Sequence, residues 1–351
     1  MDFIKIKGYK SIKDAEISLR PINILIGSNG SGKSNFLSFF EFLHHLYEKK
    51  LTEYVALNGG ENKFLHHGMK VTQKIEAHLS FNNNVNGYAF ELRKGDVTLV
   101  FEKENLIYRG DSKDISTYKS EAGLKQDDNF RANYIRNYIQ GLKKFHFHDT
   151  GKNAPFNKMS HVQNDTYFLY EKGDNIAAFL FKIQTENPII YRRIVKMIQS
   201  IAPYFSDFFL QPNTEGYIRL QWQDKYSSTT YGATDLSDGT VRFIALTVLF
   251  MQPDLPQTII IDEPELGLHP FALAKLAGMI KSAAAKKTQV IVATQSTDLI
   301  SHFLPDDVIA VDSQDGASVF NRLKEEDLAI WLNDFALGDL WKRNIITEGQ
   351  P

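Results

Sequence analysis

The chain has no cysteine among its 351 residues. That excludes disulfides and thiolate metal sites, and it fits a reducing compartment such as the cytoplasm. Long apolar runs are missing too. The longest, Phe243–Met251, falls far short of the ~20 residues that span a bilayer, so no membrane partner is expected. Met1–Lys10 alternates Phe, Ile and Lys as a strand does and is unlike a signal peptide. Neither sign of charge dominates, with 40 Lys and Arg against 42 Asp and Glu and a formal net charge of −2. That balance gives no support to nucleic-acid binding by the whole surface. The sequence shows no internal repeat and no low-complexity tract, and no sustained heptad pattern, which excludes a long coiled coil. What remains is an ordinary globular composition, 43% hydrophobic and 23% charged, with 25 Phe and 15 Tyr to fill a core.

Four short segments carry chemistry. GSNGSGKS at Gly27–Ser34 fits G-x-x-x-x-G-K-[ST], a loop that wraps nucleotide phosphates. Gly27, Gly30 and Gly32 let the backbone approach a phosphate without side-chain clash. The amides of Asn29 to Asn35 point inward, and the following helix N-terminus adds positive potential. Lys33 supplies a cation for the β- and γ-phosphates and is expected to be exposed, with little core packing. Ser34 offers a hydroxyl to Mg²⁺. IIIDEPELGLHP at Ile259–Pro270 is an apolar strand running into adjacent carboxylates. Ligands of open α/β sheets bind at that strand edge. There Asp262 is expected to hold the Mg²⁺ shell, and Glu263 to orient and deprotonate the attacking water. LSDGT at Leu236–Thr240 precedes an apolar helix. It aims the amides of Ser237 and Gly239, and the Ser237 hydroxyl, from a helix N-terminus as an anion site. VIVATQS at Val290–Ser296 is a buried strand ending at Gln295. The Gln295 side-chain amide can donate or accept a hydrogen bond without becoming cationic.

The surrounding pattern predicts an α/β chain. Strands are expected at Phe3–Ile6 with a turn at Gly8, at Ile17–Leu19 and at Ile22–Ile26, the last feeding the glycine loop and a helix from near Gly32. Lys70–Tyr108 reads as an antiparallel meander broken at Asn82–Asn84 and Gly95-Asp96. Helices are expected at Phe130–Lys144, Asn175–Gln184, Tyr191–Ile201, Phe271–Ala285 and Leu328–Leu340. Ile218–Trp222 and Val308–Val311 read as strands, and Thr150–Asn164 as a loop of the kind that lines sites. His146, His148 and Asp149 have H-x-H-D spacing, poor for one helix face, and a structural or interface role is favoured there over a metal site.

In combination these segments resemble the ABC-class ATPase heads of the SMC/RecF/OLD group. The resemblance is closer to the coiled-coil-free bacterial ATPases found in phage-defence loci. It runs from Tyr9-Lys10-Ser11-Ile12 through FHFHDT at Phe145–Thr150, Asp174–Leu180, LSDGT, DEPELGLHP and ATQS to WLNDFALGDLWKRN at Trp331–Asn344. It implies a P-loop NTPase fold, an ABC-ATPase-like head with a mixed parallel sheet, an antiparallel β-meander and a helical signature subdomain. The whole of 1–351 is expected to be one head, with a phosphate-loop and meander lobe at 1–150, a helical signature subdomain at 151–255 and a carboxylate lobe with C-terminal tail at 256–351.

The resemblance further implies an ATPase that binds ATP and Mg²⁺ and dimerises head-to-tail, each site using Lys33, Ser34, Asp262 and Glu263 of one chain and Ser237 of the other. Lys10 and Ser11 would approach the nucleotide, and Glu265–His269 would be the loop that crosses to the other protomer. The usual Mg²⁺-sensing glutamine is not obvious, and Gln163 is assigned to it from its loop position. Where Gln295 stands, transporter and recombination-type ATPases usually place His, and Gln295 would still hydrogen-bond a γ-phosphate or the attacking water. The chain continues only a short way past Gln295, so the nuclease domain of OLD-type relatives is not expected. The expected output is therefore conformational, read by a separately encoded effector such as a nuclease or toxin in anti-phage defence. The alternative is a RecF-like ATP-gated DNA clamp in DNA repair, which needs a basic face. A transporter motor and an ATP-locked scaffold that rarely hydrolyses are the remaining readings.

Overall fold

A computed structural model of the full chain describes residues 1–95, 98–116 and 119–347. They form two compact units, Met1–Lys144 with Gln257–Ile260 and Ile291–Pro351, and Phe145–Pro256 with Ile261–Val290.

The first unit holds two sheets. One is six-stranded and antiparallel throughout, in the order Ile12–Ser18, Phe3–Tyr9, Lys74–Phe81, Asn86–Lys94, Leu99–Tyr108, Asp111–Asp114. Along most of its strands buried positions alternate, and Ile4, Ile6, Ile75, Leu79, Tyr88, Phe90 and Leu92 are all buried. Against them lies the Phe-rich face of the helix Lys33–Tyr47, with Phe36, Phe39, Phe40 and Phe42 in the same core. Phe39 and Phe90 stack at 6.4 Å between ring centroids. Each such buried ring contributes about 1.5–3 kcal/mol, so this helix is fixed by its apolar face. It has no side-chain cap, which leaves its N-terminal amides to the loop before it.

The second sheet has the order Ala317–Arg322, Val308–Gln314, Ile22–Ile26, Gln289–Ala293, Thr258–Asp262, Leu142–Phe145. Ile22–Ile26 runs parallel to Val308–Gln314, while the edge hairpin of Val308–Gln314 and Ala317–Arg322 is antiparallel, so the sheet is mixed. Ile24, Leu25 and Ile26 have no exposed surface, as an unbroken apolar run requires. Three neighbouring strands, Ile22–Ile26, Gln289–Ala293 and Thr258–Asp262, carry on into the three strand-end motifs found in the sequence.

The second unit is helical around small sheets. Its main helices are Ile176–Glu186, Pro188–Gln199, Asp238–Met251 and Pro270–Ala285. A three-stranded antiparallel sheet of Phe205–Phe208, Gln221–Asp224 and Thr230–Gly232 stacks Trp222 on Phe205 and Tyr231. Asp238–Met251 is buried nearly all round, as expected for a helix apolar on every face.

Several boundaries differ from the sequence reading. The first turn is at Lys10-Ser11, not Gly8, because Lys10 takes the left-handed conformation at φ 47° and closes a hairpin of Phe3–Tyr9 with Ile12–Ser18. The helix Phe130–Gln140 stops at Gly141, and the chain then forms the edge strand Leu142–Phe145. The Gly141 carbonyl there accepts from the Thr258 amide at 3.2 Å, so a helix through Lys144 would forfeit the sheet edge. Ile218–Trp222 divides between two ladders, Tyr217–Ile218 and Gln221–Asp224. Leu328–Leu340 is two helices, Glu325–Leu332 and Leu337–Lys342. The second docks Gly338 against the Thr297 carbonyl, where any Cβ would collide, and buries Trp341 completely. All three residues of the break Asn82–Asn84 are left-handed, which asparagine tolerates best. Asp96 of the second break lies outside the described residues.

Candidate nucleotide site

The glycine loop is shaped by what lies behind it. Gly27, at φ 152°, faces the Val311 carbonyl, and a Cβ there would collide with it. Gly32, at φ 113°, faces the Ser318 hydroxyl with the same consequence. Gly30, at φ 80°, has open space where its Cβ would be. The loop is thus closed at its back and open at Gly30, and Asn29 and Ser34 are exposed beside that opening. Ser31 is buried with an Oγ that has no hydrogen-bond partner.

Lys33 is buried, not exposed as its chemistry suggested. Its Nζ donates to the carbonyls of Gly27 at 2.6 Å and Ser28 at 3.0 Å, so the ammonium lies along the loop it belongs to. The carbonyls of a tightly wound loop have no ladder partners, and the lysine satisfies them.

Lys10 and Ser11 are brought to the same loop and helix. Ser11 Oγ accepts from Asn35 Nδ2 at 2.8 Å and from Ser318 Oγ at 2.7 Å, and Ser318 Oγ also lies 2.6 Å from the Ser31 carbonyl. Lys10 Nζ donates to Ser38 Oγ at 2.8 Å. Burial lowers the Lys10 pKa, partly opposed by Glu41. Ser318 escaped the sequence reading because its strand follows an unremarkable Asp-Gly turn and carries no motif. In the same unit Gln295 is half-buried at the end of Gln289–Ala293, where the Thr294 amide donates to the Leu25 carbonyl at 3.0 Å. Ser296 Oγ then caps the next helix by accepting from the Leu299 amide at 3.0 Å.

The second unit holds the carboxylates and the signature loop. Asp262 ends its strand with Oδ1 buried and without a hydrogen-bond partner. Glu263 is left-handed at φ 44°, a conformation costing about 1–2 kcal/mol for a non-glycine residue and typical of functional turns. His148 Nε2 donates to the Asp262 carbonyl at 2.9 Å. The His146 and His148 rings stack at 4.3 Å. Glu265–His269 turns back through Gly267 at φ 74°, and His269 Nδ1 accepts from the Phe271 amide to cap Pro270–Ala285.

Ser237 caps the signature helix, its Oγ accepting from the Thr240 amide at 3.2 Å. Gly239 meets the Gly267 carbonyl so closely that no Cβ fits. Arg242 donates from Nη1 to the Leu266 carbonyl and from Nη2 to the His148 carbonyl, each at 2.8 Å. A visible signal marked Arg242, since it is the sole charge in Val241–Met251. Gln163 is exposed in a turn of the same unit, where its amide donates to His161 Nδ1 at 3.2 Å.

These donor sets suit Mg-ATP. A glycine loop open at Gly30, with a lysine ammonium lying along it, suits a polyphosphate. Within the second unit, the buried Asp262 Oδ1 without a hydrogen-bond partner suits a hard cation.

Residues 22–301 match the family described as "AAA domain, putative AbiEii toxin, Type IV TA system". No curated protein sequence matches. Among solved structures, the fold is similar to an SMC head bound to the C-winged helix domain of ScpA, at TM-score 0.61 and 18% identity over 94% of this chain and 99% of that one. It is similar to the SMC head domain from Thermotoga maritima, at TM-score 0.50 and 15% identity over 92% and 100%. It is also similar to an SMC head with an extended coiled coil bound to the C-terminal domain of ScpA from Pyrococcus furiosus, at TM-score 0.59 and 14% identity over 95% and 98%. The fold is accordingly that of a P-loop, SMC-type ABC ATPase head, and the chain belongs to the AAA_21 family of AAA domains.

Proposed function

We propose that the protein binds and hydrolyses Mg-ATP between two copies of itself arranged head-to-tail, and that the cycle of closing and opening controls a separately encoded effector. The observation that carries this reading is that one chain holds both a phosphate loop and a capped signature helix with no phosphate site of its own beside it in sequence. A signature of that kind is complete only against the nucleotide of another head. The chain is then one head, with lobes at 1–150, 151–255 and 256–351.

In this reading the amides of Asn29–Asn35 and the Lys33 ammonium hold the phosphates, and Ser34 and Asp262 hold the cation, with Gln163 sensing it. Bound Mg-ATP supplies a γ-phosphoryl group polarised by the metal. Glu263 orients a water and takes its proton, and Gln295 donates to the oxygen where charge develops. Ser237 and Gly239 of the second copy close the site. Lys10 and Ser11 stiffen it from behind.

An effector partner is supported by the family description, which names a toxin and a Type IV toxin–antitoxin system, and by the SMC heads solved with ScpA domains bound. A defence role against phage is part of the same proposal. Among the described residues no helix is long and apolar enough to cross a membrane.

The direct test is phosphate release by purified protein with Mg-ATP, comparing wild type with Asp262→Ala. Turnover that falls by about 10²-fold or more in the variant is expected. Absent turnover in wild type, or undiminished turnover in Asp262→Ala, would contradict the reading.

A further inference from the structure

Arg242 stands on the second turn of the signature helix, and its guanidinium forks. One arm reaches the Leu266 carbonyl and the other the His148 carbonyl, each at 2.8 Å. His148 in turn donates to the Asp262 carbonyl at 2.9 Å. That carbonyl belongs to the peptide plane whose rotation about N–Cα sets the φ of Glu263. Pinning it fixes the left-handed torsion of 44° from one side. The Leu266 carbonyl lies beyond Glu263, so Arg242 also holds the far end of the same turn, where the Leu266 amide returns to the Glu263 carbonyl at 3.3 Å. Apolar side chains of Phe147, Leu246, Ile261 and Pro264 wall the space between these bonds, which strengthens each of them.

We propose that Arg242 and His148 are positioning residues, a strut by which the signature helix sets the orientation of the Glu263 turn. The proposal rests on the roles given above to Ser237 and Glu263. Its consequence is that, within one protomer, the group facing the partner's nucleotide is tied to the base acting on the protomer's own. Lysine cannot replace Arg242, because one ammonium on a flexible stem does not span two carbonyls in a fixed fork. Glutamine can replace His148 in part, because its side-chain amide can also donate to the Asp262 carbonyl.

The test uses the full chain with Arg242→Lys, His148→Leu and His148→Gln. Amide hydrogen exchange is read first without nucleotide. Arg242→Lys and His148→Leu should speed exchange in the segment 262–269 by about tenfold or more, leave 243–251 protected, and be largely reversed in His148→Gln. In steady-state turnover the same two variants should lower kcat by ~10–10²-fold with KM for Mg-ATP within about twofold, and combining them should add little to the larger single effect. Unchanged exchange in 262–269, or loosening shared equally by 243–251, would overturn the strut. Should His148→Leu not fold, Arg242→Lys and His148→Gln carry the comparison. Because exchange is read without nucleotide, a wild type lacking turnover would defeat the ATPase reading and leave the strut to be decided by exchange alone.

Discussion

Gly239 packs its α-carbon against the Gly267 carbonyl, joining the first turn of the signature helix to the loop after the carboxylates. A side chain at position 239 must push one of them away. Gly239→Ala is therefore expected to destabilise the protein by about 1–3 kcal/mol, the usual penalty of overpacking. Gly278, in the helix Pro270–Ala285, has open space where its Cβ would stand. Gly278→Ala should stabilise by about 0.5–1 kcal/mol, because alanine loses less backbone entropy in a helix. Urea unfolding of both variants checks the pair, and equal shifts would refute the packing argument.

Lys33→Ala removes the ammonium that bridges the Gly27 and Ser28 carbonyls. Hydrogen bonds to a charged group contribute about 1.5–3 kcal/mol, so a modest fall in stability is expected beside the loss of nucleotide affinity. Thermal melts without nucleotide and titration with a fluorescent ATP analogue separate the two effects. Unchanged affinity in the folded variant would remove the phosphate-loop assignment.

Glu104 is buried in the antiparallel sheet, where burial raises its pKa above the ordinary 4.5 against bonds from the Gly123 amide, the Tyr88 hydroxyl and the Leu124 amide. A carboxyl with a raised folded pKa adds stability below its unfolded value, and that stability is lost as pH rises through the folded value. The advantage of wild type over Glu104→Gln, which does not titrate, should thus be greatest below pH 4.5 and shrink as pH rises above it. Melting temperatures of both proteins across this range decide the matter, and a gap that widens with rising pH would contradict it.

The glycine loop, the carboxylate strand and the buried strand before Gln295 were legible because each is a local pattern with its own chemistry. The meander was legible for the same reason, since alternation along Lys74–Phe81 is a property of one strand. What escaped was non-local. Ser318 reaches Ser11 across most of the chain, and nothing in Ala317–Arg322 announces it. The end of the helix at Gly141 is decided by the Thr258 amide, which no window around Gly141 contains. The exposure expected of Lys33 failed because the carbonyls that fold it down were not legible in the sequence. The charge of Arg242 inside an apolar helix was visible, yet its partners lie on two separate loops.

The measurement nearest to the central claim is the mass of Glu263→Gln in solution with and without Mg-ATP. The substitution keeps size and hydrogen bonding and removes the base, so ATP still binds while hydrolysis falls by ~10²–10⁴-fold. If two heads close around nucleotide, light scattering should show a stable ATP-dependent dimer, and adding Ser237→Arg should abolish it by blocking the opposite copy's phosphate site. If Glu263→Gln binds ATP and neither its mass nor, where it is already dimeric, its X-ray scattering profile changes, the two-headed account is wrong.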